Sequence, residues 1–132
     1  MNKIIAMFVL ITGLAACAKQ EVGLNTGWNS FYHIEGEDTV SYMHFPNTFT
    51  SDGNGTNDIY LIITSNISNE NFEFRVFDKK GVNVFTSNNQ QIGWDGTNKG
   101  MKAPSSIFYY KIYAKDSTGY EYKADGSLYL LR

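Results

Sequence analysis

Ile107-Phe108-Tyr109-Tyr110-Lys111-Ile112-Tyr113-Ala114 is the stretch whose reading decides the fold. Successive side chains of a strand point to opposite faces. Phe108, Tyr110, Ile112 and Ala114 therefore share one face, and Ile107, Tyr109, Lys111 and Tyr113 share the other. Downstream, Asp116-Ser117-Thr118-Gly119 is a turn, and residues 120–131 form one long strand or two short ones broken near Asp125-Gly126. Upstream, Phe72, Phe74 and Val76 alternate with Glu73, Arg75 and Phe77, which gives one core face and one wetter face. Asp78-Lys79-Lys80-Gly81 turns the chain so that residues 82–85 return beside that strand.

Further upstream the same grammar continues. Residues 28–34 and 40–45 are short aromatic or β-branched runs that read as a hairpin or two early strands. Residues 46–58 are rich in Gly, Asn and Asp and specify turns; residues 59–65 are β-prone, and residues 66–71 are a polar break. A second turn cluster, residues 88–106, holds Gly93-Trp94-Asp95-Gly96-Thr97-Asn98-Lys99-Gly100, one large apolar anchor among three glycines. No stretch after residue 20 sustains a helical period. About seven short strands predict an all-β, two-sheet antiparallel sandwich, because each one-sided sheet must bury its apolar face.

The first residues follow a different rule. Lys3 is followed by an almost wholly apolar run over residues 4–14, then Ala15, Ala16 and Cys17, the only cysteine of 132 residues. A basic start, an apolar run too short to span a membrane and a small-residue boundary read as an export signal. Leu14-Ala15-Ala16-Cys17 resembles the bacterial lipobox, in which the cysteine is lipidated and becomes the first mature residue. The resemblance implies a signal peptide at 1–16, a lipidated tether at 17–27 and a sandwich domain at 28–132, held to an envelope membrane, the outer one, through lipid on Cys17. A plain secretory peptide or a buried first helix are the other readings. The tether has no strand period, although it is able to pair with a sheet edge.

One cysteine allows no intrachain disulfide, so the core alone must hold the fold. Net charge is −2, and −3 without the segment carrying Lys3. That balance offers no basic stripe for nucleic acid.

Four blocks sharpen the fold. Pro46-Asn47-Thr48-Phe49-Thr50-Ser51-Asp52-Gly53-Asn54-Gly55-Thr56-Asn57-Asp58, Val76-Phe77-Asp78-Lys79-Lys80-Gly81-Val82-Asn83-Val84-Phe85, and Trp94-Asp95-Gly96 with Ala103-Pro104-Ser105-Ser106-Ile107-Phe108-Tyr109-Tyr110 come first. Gly126-Ser127-Leu128-Tyr129-Leu130-Leu131-Arg132 closes the series. In this order they resemble the gliding-motility-associated C-terminal domain of exported bacterial proteins. The resemblance implies an immunoglobulin-like β-sandwich and a recognition role in type IX secretion. Ser51 stands where the family carries Pro, Lys79 where it carries Arg, and Ser106 where it carries Gly.

Asp52, Asn54, Thr56 and Asp58 recur at every second position of a glycine-bearing loop. Alternate oxygens of a curved loop suit calcium; the competing reading is an Asx-rich turn that satisfies its own backbone. Asp78, Asp95 or Asp116 would have to complete a calcium shell from neighbouring loops. Tyr109, Tyr113 and Tyr122, with Trp94, are candidates for an aromatic face toward a glycan or an envelope protein. Each also reads as a sheet or core packing residue. His33 and His44 lack a metal-ligand spacing, and no phosphate-binding or nucleophile-elbow motif is present. The expected function is a non-catalytic, envelope-anchored adhesion, binding or assembly module; the alternative is a secretion-associated recognition domain.

Overall fold

The computed structural model describes residues 19–21 and 27–132. The signal segment and Cys17 lie outside the described residues. Two sheets face each other. The first runs in the order β1 (Lys19–Glu21), β2 (Trp28–Glu35), β3 (Asp38–Pro46), β5 (Ile63–Ser65). The second runs β4 (Thr48–Thr50), β11 (Glu121–Leu131), β10 (Ser106–Asp116), β6 (Ile67–Phe77), β7 (Asn83–Ser87). A small ribbon, β8 (Thr97–Asn98) with β9 (Met101–Lys102), stands on the loop between β7 and β10. The architecture is the expected immunoglobulin-like β-sandwich.

The deciding stretch divides as its alternation requires. Phe108, Tyr110, Ile112 and Ala114 are buried, whereas Tyr109 and Lys111 are exposed. From the opposite sheet Phe31, Met43 and Phe45 point inward, and the Phe45 ring meets Tyr110 edge-on at 5.2 Å. Phe49, Tyr60, Trp94 and Phe108 continue the core as an aromatic chain with centroid separations of 4.8–5.6 Å.

Three details depart from the sequence reading. The sandwich is not wholly antiparallel, because β4 pairs with β11 in parallel, Thr48 opposite Tyr129. The polar break at 66–71 is mostly strand: β6 begins at Ile67, which pairs with Asp116 beyond a bulge, and Ser68, Asn69 and Glu70 extend it into solvent. Of residues 59–65 only the last three form a strand. The rest is extended chain whose ladder shrinks to one bridge, Tyr60 with Trp94.

Of the two readings of residues 120–131 the single long strand is the one formed, and β11 runs unbroken through Asp125-Gly126. Gly126 pairs with Tyr110, and a side chain there would lie 2.7 Å from the Tyr110 hydroxyl, so the glycine makes room for an inward tyrosine. Within the expected tether, residues 19–21 pair with β2, Lys19 opposite Tyr32.

Candidate functional site

The first and third sequence blocks meet at one end of the sandwich. The Asp58 carboxylate accepts the backbone N–H groups of Asp52 at 3.1 Å, Gly53 at 2.8 Å and Gly55 at 2.6 Å. The Gly53 hydrogen bond is the largest cause holding the Asp58 carboxyl below its ordinary pKa; desolvation opposes it, and the Gly55 and Asp52 bonds reinforce it. Asp52 accepts the N–H of Asn54, and Asn54 accepts that of Thr56. The alternating oxygens are thus used as successive Asx turns.

The proposed completing ligands are occupied elsewhere. Asp78 accepts the N–H groups of Lys80 and Val82, and Asp95 accepts that of Thr97. Asp116 lies on a different clasp, described below. Among the described residues no three His, Cys, Asp or Glu side chains gather as a metal set.

Next to this loop, Trp94 is fully buried and donates its indole N–H to the Thr97 carbonyl at 2.8 Å. The core-anchor reading of Trp94 is the one the structure shows, and its burial removes it as a ligand platform. Gly93 explains how the bridge fits, because a Cβ there would sit 2.3 Å from the Tyr60 carbonyl oxygen.

Arg132 ties the loops together. Its Nε donates to Ala103 O, one terminal nitrogen to Ser51 O and the other to Gly96 O, at 2.6, 2.6 and 2.7 Å. A planar guanidinium is suited to gathering several carbonyls at once. Ser51, at the position of the family's Pro, also donates its hydroxyl to Asp95 O at 2.7 Å.

A polar cluster that the sequence reading missed joins the two sheets at the β10–β11 turn. The Asp116 side chain is buried, and its Oδ2 accepts from Ser41 Oγ at 2.6 Å and His33 Nδ1 at 2.7 Å. Its Oδ1 accepts the Thr118 and Tyr120 N–H groups and the Thr118 hydroxyl. Because Ser41 donates to Asp116, the 2.5 Å contact between Ser41 and Tyr122 has the phenol as donor. Burial alone would raise the Asp116 pKa. The hydrogen bonds from Ser41, Thr118, His33 and Tyr120 overcome it and hold the carboxyl far below the ordinary range.

The His33 ring stacks on Tyr120 at 4.0 Å. Although serine, histidine and aspartate converge, aspartate is the hub. Ser41 donates to the carboxylate and not to the imidazole, so no base is placed to activate it. His44 bonds Ser30 on the opposite face of the same sheet, away from His33.

The expected tyrosine face is divided. Tyr109 is exposed and Tyr113 is half-buried, with its hydroxyl donating to Glu121 at 3.3 Å. Tyr122 is fully buried on the inner face, one residue out of phase with Tyr109 and Tyr113 across the β10–β11 pairing. That corrects the expectation of three tyrosines on one surface. Tyr109 instead borders a shallow depression with Phe77, Lys111 and Asp125.

The fold is thus a β-sandwich whose loops are clamped together at one end by Arg132. The family model of the CHU_C type IX secretion signal domain matches residues 43–130. The chain belongs to this family, whose domains are sorting signals of bacterial envelope or secreted proteins and are not catalytic. No curated protein matches the chain. The matched region begins within β3, so β1 and β2 lie before it.

Proposed function

We propose that this chain is a non-catalytic recognition module read as a folded unit by the type IX export machinery, with the clamped loop end as the surface that is read. The convergence of Ser51, Gly96 and Ala103 on the Arg132 guanidinium carries this reading, because it makes one rigid surface from separate family blocks. A fluorescent protein carrying an ordinary export signal and followed by residues 19–132 tests it. Surface display or release in a type IX-competent bacterium, with periplasmic retention in a strain lacking that machinery, is the expected result. Equal distribution in the two strains would refute the reading.

A second reading concerns residence. Leu14-Ala15-Ala16-Cys17 favours a lipid anchor in the envelope, with the outer membrane as its site. On this reading the intact protein fractionates with membranes and carries lipid mass, and Cys17→Ser releases it. A wild-type protein recovered soluble and lipid-free would rule out the anchor. An adhesion or assembly role toward a glycan or envelope protein would have to work through Tyr109 and its depression, since Tyr122 and Trp94 are in the core. Calcium has no assigned part in these readings.

A further inference from the structure

The two outer faces of the sandwich differ in kind. The second sheet presents Glu73, Arg75, Lys111, Lys123 and Asp125 beside the exposed Tyr109 and Tyr129, so that its aromatic rings stand among charges. In the first sheet, residues 28–34, 39–46 and 63–65 contain no Asp, Glu, Lys or Arg, and charge is confined to the edge strand β1, with Lys19 and Glu21, and to the β2–β3 turn. Its outer surface is instead aromatic. Tyr32, Tyr42 and His44 pack ring against ring at 4.6–6.5 Å, flanked by Trp28 and Ile63, which are 47% and 45% exposed. Burial lowers the His44 pKa and so favours the neutral ring.

Chain geometry brings the anchor position to this face. β1 pairs with β2 at Lys19 opposite Tyr32, and Cys17 precedes Lys19 by two residues. Two residues span at most about 7 Å. A lipid carried on Cys17 would therefore be held within that reach of Lys19, the residue opposite Tyr32. Trp and Tyr are the side chains that favour the headgroup layer, with an apolar ring and a polar tip. Glu35, Glu37 and Asp38 at the neighbouring β2–β3 turn disfavour an anionic surface.

We propose that the outer face of the first sheet, centred on Trp28, Tyr32, Tyr42 and His44, lies against a zwitterionic lipid headgroup layer when the chain is tethered through Cys17. This rests on the lipid-anchor reading. It leaves the charged outer face of the second sheet turned away from the membrane.

The test separates docking from native lipidation. The chain from Cys17 onward, which contains every described strand, is coupled through its only cysteine to a maleimide phospholipid in phosphatidylcholine vesicles. Trp28 emission is then read against bromine-labelled lipid, with Trp28→Phe as the control for the buried Trp94. Loss of Trp28 emission that disappears in Trp28→Phe is expected, with no gain on adding anionic lipid.

Unquenched Trp28 emission in a tethered chain with native circular dichroism would overturn the proposal. So would Trp28 shielding that depends on protein concentration without vesicles, because a second copy would then cover the face. Lipid mass on Cys17 of the protein from native envelopes is measured separately. Its absence would sink the anchor reading and with it docking in the cell, whatever the vesicles show.

Discussion

Asp116, at the end of β10, receives five hydrogen bonds from the opposite sheet and its own turn. Asp116→Ala leaves the buried Ser41 and the partly buried His33 and Tyr120 donors without this acceptor and is expected to cost about 3 kcal/mol, measured by urea unfolding. The pH dependence follows from the depressed folded-state pKa. The carboxylate's contribution is fully present above its unfolded value of about 4 and is lost as pH falls toward the lower folded value. The gap in stability between the wild type and Asp116→Ala should therefore be widest near neutrality and shrink below about pH 4. A gap independent of pH would assign the loss to packing. Gly93 makes an equally local demand: Gly93→Ala drives a methyl into the Tyr60 carbonyl and should cost at least about 2 kcal/mol in the same assay.

Among the elements, the loop over residues 52–58 is built by its own side chains, and a prediction follows for calcium. The thermal midpoint should be the same in calcium and in chelator, because the Asp58 and Asp52 oxygens already accept backbone N–H groups. A midpoint raised by calcium would show that those bonds yield to a metal. β10 was legible in the sequence because period-two alternation with large aromatics survives in isolation, and the β6–β7 and β2–β3 hairpins were legible for the same reason. β4 was hidden because three residues inside a turn-rich stretch carry too little period, and their partner lies 81 positions away. The Asp116 clasp was hidden likewise. Asp116-Ser117-Thr118-Gly119 shows its turn, but no spacing announces that Ser41 and His33 arrive from the other sheet. Tyr122 was misplaced although its phase is legible once residues 121–131 are read as one strand, since it shares a face with Ala124, Leu128 and Leu130 while Glu121, Lys123 and Asp125 lie opposite.

For the molecule as a whole, Arg132 is a joint. Arg132→Ala removes donors to Ala103, Ser51 and Gly96, and charged hydrogen bonds of this kind suggest a loss of about 1–3 kcal/mol. If the clamped end is what the export machinery reads, type IX-dependent display of a reporter should fall more than the urea midpoint does. Arg132→Lys should rescue it poorly, because an ammonium lacks the planar fork. Proportional loss of both would make Arg132 a stabilising residue alone. The parallel seam between β4 and β11 has a kinetic consequence. Residues 48–50 find their partner only at residues 129–131, so the second sheet cannot close until nearly the whole described chain has been delivered. Such non-local closure is slow, on the order of milliseconds to seconds. A polypeptide threading through a membrane pore from its first residue onward would therefore remain a pliable strand during transit. It would gain its shape, and with it a surface to be read, only on the far side.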